Sequence, residues 1–347
     1  MKNEKIHVLV IDDSIFMRTL VSDILNSDPE IEVVGTAKDG KEAIEKLSKI
    51  RPDCITLDLV MPGWDGLTTL EYIMDKNPIP VIILSAYSKK DADITIKCLN
   101  AGAIGFVLKP SGELSLDIRD ISFELLEKVK AASKVNIERI KLLIRKKRKQ
   151  PKRKILSLNR IIVIGASTGG PQTLEAILYA IPVNLSIPVI IVQHLPTRFF
   201  TESLAEYLDK VSDLLEVKVA ENDEILQPGK VYLVPAGSQM TFKINNADVS
   251  TSLTKAQSNS LSPSIDMVME SVAKVYGGNS LGIILSGMGQ DGREGMRAIK
   301  EAGGKTIAQD ESSLIFGMPK AVIEAGMADE VLSVDGIADA MMECGGI

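Results

Sequence analysis

Short runs of β-branched and aliphatic residues alternate with amphipathic stretches in the first third of the chain, and this alternation limits the possible folds. Five runs have the length of strands: 6–11, 31–36, 54–57, 81–84 and 105–108. Helical periods appear near 15–27, 40–50, 66–76 and 90–101, and again from about 114 onward. Strands that are apolar on both faces and separated by helices form a parallel sheet covered by helices. This part is therefore predicted to be an α/β domain with a five-stranded parallel sheet.

Polar residues stand where these predicted strands end. Asp12 and Asp13 follow the first run, Asp58 the third, Ser85 the fourth and Lys109 the fifth. Ligands bind at the carboxyl ends of such strands. Converging carboxylates favour a hard cation such as Mg²⁺, and a metal-bound carboxylate beside a hydroxyl and a lysine can accept a phosphoryl group. Asp12 and Asp13 as helix caps and Lys109 as a surface residue are the alternative, but five residues at corresponding strand ends favour a phosphorylation site.

Residues 1 to about 125 resemble the receiver domain of two-component response regulators. The segments that carry the resemblance are VIDDS (10–14), DLVMPGWDG (58–66), LSA (84–86) and LKP (108–110). The resemblance implies a flavodoxin-like fold in which Asp58 is the phosphoacceptor. It also implies Mg²⁺ held by Asp13 and Asp58 with help from Asp12. Ser85 and Lys109 would contact the phosphoryl group, and Phe106 occupies the position of an aromatic switch.

A glycine-rich turn follows the first predicted strand of the second half, which spans 160–165. Residues 165–169 fit the pattern G-x-S-x-G, in which a tight turn presents a serine hydroxyl beside backbone N–H donors. A nucleotide-binding turn of the short-chain dehydrogenase type is an alternative. Against it, Pro171 stands where a third glycine would help, and no Tyr-x-x-x-Lys follows the turn. Ser167 is therefore the candidate nucleophile.

An activated serine needs a base and a group that orients the base. His194, the only histidine of the second half, follows a predicted strand at 188–193, and Asp291 follows another at 280–285. Alternatives are a capping or core role for His194, and Asp291 as the cap of a helix that begins near Arg293. Because the three residues end three strands, we expect a Ser167, His194 and Asp291 triad. Their chain order differs from that of α/β-hydrolases.

The second half resembles the catalytic domain of chemotaxis receptor protein-glutamate methylesterases, the CheB family. Six segments carry the resemblance: 164–171, 192–196, 228–232, 263–266, 285–292 and 316–320. It implies a doubly wound α/β domain that hydrolyses glutamyl methyl esters on chemoreceptors without a cofactor, and that deamidates specific glutamines. Thr168 and Met288 match positions near the oxyanion site. The sequence departs from the family at Ser262 and Gln239, where arginine and histidine are common.

Charge divides the chain into three parts. The net charge is −7 over residues 1–128, +11 over 129–158 and −10 over 159–347, which together give −6. We interpret 1–128 as the receiver, 129–158 as an exposed basic linker and 159–347 as the catalytic domain. A nucleic-acid-binding output and contact of the linker with an anionic surface are alternatives, but the block lacks aromatic residues and joins two acidic domains.

The remaining expectations concern location and partners. Three separated cysteines and the lack of a long apolar run indicate a cytoplasmic protein that is not inserted in a membrane. The resemblances imply chemoreceptors as substrates, a chemotaxis histidine kinase as phosphodonor and no nucleic-acid partner. A response-regulator adaptor with an inactive hydrolase-like domain is the competing hypothesis.

Overall fold

The computed structural model describes residues 5–109, 115–137, 160–181, 185–212, 214–245, 248–256 and 262–346. The chain divides into two compact units, Met1–Lys141 and Leu142–Ile347. They are called the first and second units below, and each is described by itself. Most of the predicted linker, from residue 138 to 158, lies outside the described residues, and the beginning of that linker is helical.

The first unit contains a parallel sheet with the strand order β2-β1-β3-β4-β5. The strands are β1 (Ile6–Ile11), β2 (Ile31–Ala37), β3 (Cys54–Asp58), β4 (Val81–Ser85) and β5 (Gly105–Leu108). The helices are α1 (Ile15–Asn26), α2 (Gly40–Leu47), α3 (Gly66–Lys76), α4 (Lys89–Asn100) and α5 (Ser115–Ala132). β3 and β4 are buried along their whole length, which is why their sequences are apolar on both faces. The predicted five-stranded receiver fold is confirmed.

The second unit contains a parallel sheet with the strand order β14-β13-β12-β6-β7-β9-β8. These strands are β6 (Ile161–Ala166), β7 (Val189–Gln193), β8 (Glu216–Val219), β9 (Lys230–Leu233), β12 (Ser280–Ile284), β13 (Lys305–Gln309) and β14 (Glu330–Leu332). The helices are α6 (Gly170–Ala180), α7 (Arg198–Val211), α8 (Ile265–Tyr276), α9 (Arg293–Glu301), α10 (Met318–Glu324) and α11 (Val334–Cys344). The predicted α/β fold of this half is confirmed.

Strand β6 lies at the point where the strand order reverses. It pairs with β7 on one side and with β12 on the other, and both partners are parallel to it. In open parallel sheets a crevice forms at such a point, outside the carboxyl ends of the strands. The residues that follow β6, β7 and β12 therefore meet at the entrance of one crevice.

An antiparallel hairpin stands apart from this sheet. Strands β10 (Ser238–Asn245) and β11 (Asp248–Lys255) pair from Ser238 with Lys255 to Asn245 with Asp248. Met240 and Phe242 of the hairpin belong to the same buried cluster as Tyr232 of β9 and Val268 of α8. The hairpin is thus attached to the main body through apolar packing.

The three cysteines are free thiols. Cys54 in β3 and Cys98 in α4 are buried in the first unit, and burial raises the pKa of each to about 12. Cys344 ends α11 in the second unit, where burial also raises its pKa. Among the helices in the described part of the chain, none combines the length and the apolar character needed to cross a membrane.

Gly165 in β6 allows close packing of the sheet against α8. A Cβ atom on Gly165 would lie 2.5 Å from Cγ2 of Ile265 and 2.8 Å from Cδ1 of Ile284. We expect Gly165→Ala to lower the free energy of unfolding of the second unit by about 1–3 kcal/mol, because the branched side chain of Ile265 cannot move aside easily. Urea denaturation measures this change.

The matched control is Gly282→Ala in the neighbouring strand β12. A Cβ atom there would meet Cδ1 of Ile299 and Sδ of Met296, both at 2.8 Å. These atoms lie far out on flexible side chains, so the loss of stability should be smaller. Equal losses for the two variants would contradict this interpretation of Gly165.

Candidate functional sites

The first site is an acidic cluster at the carboxyl ends of β1 and β3. One carboxylate oxygen from each of Asp12, Asp13 and Asp58 lies within 4.8 Å of the other two. Asp12 is fully buried and Asp58 is 4% exposed, whereas Asp13 is exposed. Arg18 binds the backbone of Asp12 and Asp13. Its Nη1 donates to the carbonyl oxygen of Asp12 at 2.7 Å and to that of Asp13 at 3.0 Å.

Lys109 balances part of the negative charge. Its ammonium nitrogen lies 2.8 Å from Oδ2 of Asp12 and 2.8 Å from Oδ1 of Asp58. Burial raises the pKa of Asp58, and the charge of Asp12 adds to this, while Lys109 acts in the opposite direction. Burial lowers the pKa of Lys109, but its bonds to the two carboxylates outweigh burial and the net shift is upward.

The donor set of this cluster fits a hard divalent cation. Three carboxylates converge, two of them are buried, and one ammonium group faces them, so the site has an excess of negative charge. Carboxylate oxygens are the ligands that Mg²⁺ prefers. The receiver domain therefore carries an acidic cluster consistent with an Mg²⁺ site.

The other receiver residues predicted from the sequence lie at neighbouring strand ends. Ser85 is buried, and its hydroxyl accepts a hydrogen bond from Oγ1 of Thr95 at 2.8 Å. The backbone N–H of Lys109 donates to the carbonyl of Ser85 at 2.7 Å, so these two residues are adjacent. Phe106 is buried in β5. Nζ of Lys128 donates to its carbonyl oxygen at 2.7 Å and lies 5.4 Å from its ring centroid.

The second site begins at the turn between β6 and α6, which carries Ser167. Gly169 in this turn has a φ of +78°, a left-handed conformation that favours glycine. Ser286 holds the turn against the end of β12. Its carbonyl accepts from the N–H of Ser167 at 3.0 Å, and its hydroxyl donates to the carbonyl of Thr168 at 2.8 Å. Ser286 was not among the residues predicted from the sequence.

Strand pairing places His194 beside Ser167. Ala166 pairs with Gln193 at the ends of β6 and β7, and the N–H of His194 donates to the carbonyl of Ala166 at 3.0 Å. The ring of His194 then reaches across to Asp291, with 2.8 Å between Nε2 and Oδ2. Nδ1 is thus the ring nitrogen left for a proton from the serine.

Asp291 also binds the beginning of α8. Its Oδ2 accepts the N–H of Ile265 at 2.8 Å, and its Oδ1 accepts the N–H groups of Asp266 at 3.0 Å and of Gly292 at 3.1 Å. Asp291 therefore caps the beginning of α8 and also binds the turn before α9. The sequence had suggested only the second of these roles. Burial raises its pKa, yet the hydrogen bonds from His194 and from the backbone outweigh burial, so the net pKa is lowered.

Asp266, in the first turn of α8, binds the beginning of α9 in the same way. Its Oδ1 accepts the N–H of Gly295 at the beginning of α9, at 2.7 Å. Burial, together with the nearby charge of Asp291, raises the pKa of Asp266 to about 6. Asp266 of α8 thus accepts an N–H of α9, and Asp291, two residues before α9, accepts N–H groups of α8. Of these two acids, Asp291 is the one that contacts the imidazole of His194.

Backbone N–H donors are available next to Ser167. A Cβ atom on Gly287 would lie 2.8 Å from Cβ of Ser167, so the loop that carries Met288 passes directly beside the serine. Within the described residues, neither the N–H of Thr168 nor the N–H of Met288 donates a hydrogen bond to the protein. Such unused donors beside a serine can bind an oxygen that becomes negatively charged.

Comparison with known proteins identifies both halves. The response regulator receiver domain family matches residues 8–118, and the CheB methylesterase family matches residues 162–341. The chain belongs to the CheB methylesterase family. The predicted combination of a receiver domain with a CheB-type hydrolase is confirmed.

Full-length relatives and a solved structure agree with this membership. A protein-glutamate methylesterase/protein-glutamine glutaminase of Pyrococcus abyssi is 44% identical over 346 residues, which cover 97% of this chain and 93% of the relative. A protein of the same name from Thermotoga maritima is 41% identical over 351 residues and covers 99% of each chain. The crystal structure of the Thermotoga maritima CheB methylesterase catalytic domain is 41% identical, with a TM-score of 0.51. It covers 53% of this chain and 98% of that domain.

The raised pKa of Asp266 predicts a pH-dependent loss of stability. Folding raises this pKa from 3.8 to about 6, so the folded chain holds the proton more tightly and loses stability as the pH rises from about 4 through 6. Asparagine keeps an acceptor for Gly295 and cannot ionise. We expect Asp266→Asn to raise the Tm of the second unit by about 2–4 °C at pH 7.5 and by less at pH 4.

Asp329→Asn is a control of opposite sign. Burial raises the pKa of Asp329, but hydrogen bonds from Lys300 and Thr306 outweigh it, and the net pKa is lowered. The ionised form of Asp329 therefore stabilises the fold above its unfolded pKa, and this contribution is lost as the pH falls. This variant should lower the Tm at pH 7.5. A Tm change for Asp266→Asn that is the same at both pH values would contradict the assignment.

Proposed function

We propose that the second unit hydrolyses glutamyl methyl esters on chemoreceptors and releases glutamate and methanol. Its relatives carry the name protein-glutamate methylesterase/protein-glutamine glutaminase. Ser167 is the nucleophile, His194 the general base and Asp291 the group that orients the imidazole. The contact of 2.8 Å between Nε2 of His194 and Oδ2 of Asp291, at the strand end next to Ser167, is the observation that carries the proposal.

The chemistry follows from this arrangement. Oγ of Ser167 attacks the ester carbonyl while Nδ1 of His194 takes its proton, and the carboxylate of Asp291 stabilises the imidazolium that forms. The N–H groups of Thr168 and Met288 donate to the oxyanion. The proton then passes from His194 to the leaving methoxide, and methanol departs. Water, deprotonated by His194, releases the glutamate carboxylate and restores the serine.

The same machinery accepts a glutamine side chain. A primary amide presents the same carbonyl to Ser167, and its nitrogen takes the proton from His194 and leaves as ammonia. Deamidation of specific receptor glutamines is therefore proposed as a second activity of the same site. Neither reaction needs a cofactor in the second unit.

The first unit is proposed to control this activity through phosphorylation of Asp58. Asp12, Asp13 and Asp58 would hold Mg²⁺, which supplies positive charge for the phosphoryl oxygens when it is bound. Lys109, which contacts Asp58 at 2.8 Å, and Ser85, at the end of the neighbouring strand β4, are proposed to contact a phosphoryl group on Asp58. Phe106 is proposed to respond to that change as an aromatic switch.

The partners and the location follow from these two activities. A chemotaxis histidine kinase supplies the phosphoryl group, and the cytoplasmic parts of chemoreceptors supply the esters, which places the chain in the cytoplasm. An adaptor with an inactive hydrolase-like domain is the competing function. Release of methanol from methylated receptor by the purified chain distinguishes the two.

Substitution of the three proposed active-site residues tests the reaction. We expect Ser167→Ala and His194→Gln each to lower kcat for methanol release by about 10⁴-fold or more, because nucleophile and base act as one unit. Asp291→Asn should lower kcat less, since both reacting groups remain. Circular dichroism of each variant checks folding. Activity of Ser167→Ala above about a tenth of the parent value would remove Ser167 from the mechanism.

Substitution of Asp58 tests the control. A small-molecule phosphoryl donor with Mg²⁺ should raise the rate of methanol release by the full chain several-fold, but not that of Asp58→Asn. The matched control is Asp53→Asn, near the other end of β3, where the carboxylate accepts the N–H of His7 at 2.7 Å. That variant should respond as the parent does. Activation of Asp58→Asn by the donor would contradict the assignment of the phosphoacceptor.

A further inference from the structure

The side chain of Gln193 connects the two residues that react with each other in the proposed mechanism. Gln193 ends β7 and is 3% exposed. Its Nε2 donates to the carbonyl oxygen of Ser167 at 2.9 Å and to that of His194 at 3.1 Å. A primary amide has two N–H groups, and here each is directed to the backbone of one of the two residues.

The connection begins where the sheet ends. The hydrogen bond from the N–H of His194 to the carbonyl of Ala166 continues the pairing of β6 with β7, and the two chains then separate into different loops. No direct backbone hydrogen bond joins Ser167 to His194 in the described residues. The amide of Gln193 bridges the gap that the separation leaves.

Orientation of one peptide plane affects the proposed oxyanion site. A peptide bond is planar and trans, so the carbonyl of Ser167 and the N–H of Thr168 point in opposite directions. That carbonyl accepts Nε2 of Gln193 at 2.9 Å and the N–H of Gly170 at 2.8 Å. These two donors together therefore also fix the direction of the Thr168 N–H, which is a proposed oxyanion donor.

One polar atom of Gln193 lowers the stability of the fold. A side chain that served only to fill this space would not need that atom. Oε1 of Gln193 is buried and has no hydrogen-bond partner in the described part of the chain. An unpaired buried carbonyl lowers stability, and an apolar side chain of the same length would avoid this loss. Gly170 leaves room for this oxygen, because a Cβ atom at position 170 would lie 2.2 Å from it.

We propose that Gln193 is a positioning residue that sets the geometry between Ser167, His194 and the Thr168 N–H. The inference rests on the proposed function, because it assigns Gln193 a role in the same site. Gln193 is 3% exposed, so we place it behind the reacting groups and not against the substrate. It acts through the two residues whose carbonyls it binds, so its loss should change the rate of reaction at Ser167 more than the binding of substrate.

Two near-isosteric variants of the full chain test this role. Gln193→Met removes both donors and the unpaired oxygen, and Gln193→Glu replaces the donors with an oxygen that repels both carbonyls. We expect each to lower kcat for methanol release by about 10- to 100-fold, with KM within about twofold of the parent value. The Tm of Gln193→Met should equal or exceed that of the parent, an outcome that a merely structural role does not predict.

A second measurement does not depend on the substrate. A fluorophosphonate probe reacts with an activated serine, and mass spectrometry gives the rate at which Ser167 is labelled. This rate should fall by a similar factor in both Gln193 variants. The matched control, Ile190→Val, changes another fully buried side chain of β7 and should label at the parent rate within about twofold.

The outcomes separate the two proposals. If the parent neither releases methanol nor labels at Ser167, the proposed function is wrong and the role of Gln193 is overturned with it. If the parent reacts and both Gln193 variants react within about twofold of it, the proposed function stands and the positioning role is wrong. If the variants lose rate only in proportion to a lowered Tm, Gln193 is a structural residue.

Discussion

The carboxylate of Asp291 binds three parts of the second unit to one another. Its oxygens accept hydrogen bonds from the first N–H groups of α8, from the turn before α9 and from the imidazole of His194. The N-terminus of a helix favours a negative charge. The charge is therefore stabilised where it also orients the imidazole, and the position of His194 relative to Ser167 depends on how α8 and α9 pack. Asp266 strengthens this dependence because it caps α9 from α8.

Both units place their polar residues at the carboxyl ends of parallel strands, but the chemistry of the two edges differs. In the first unit three acids face one lysine, and the excess of negative charge suits a cation. In the second unit Asp291 accepts hydrogen bonds from backbone N–H groups and from His194. Further N–H groups beside Ser167 donate no hydrogen bond to the described part of the protein. The same sheet geometry thus brings together an acidic cluster consistent with an Mg²⁺ site in one unit and backbone N–H donors beside a serine in the other.

The sequence predicted the sheet edges well and their supporting interactions poorly. Apolar runs show where a strand ends, so Ser167, His194 and Asp291 could be assigned to neighbouring strand ends without a structure. Gln193, Asp266 and Ser286 could not be assigned in the same way. Their partners are 26, 29 and 118 residues away in the chain, and only the folded strand order brings them together. A capping role for Asp291 was foreseen, but its capping of the helix that begins at Ile265 was not, because that helix precedes it by more than twenty residues.

The distribution of the cysteines gives the chain a separate reporter for each unit. Cys54 and Cys98 are buried in the first unit, and Cys344 is in the second. A buried thiol is alkylated only when the surrounding structure opens, and the rate follows the population of the open state. Alkylation of Cys54 and Cys98, followed by mass spectrometry peptide by peptide, therefore measures the opening of the receiver. The half-buried Cys344 reports in the same sample on the end of α11 in the second unit. No cysteine has to be added by mutation, and neither proposed site contains a thiol.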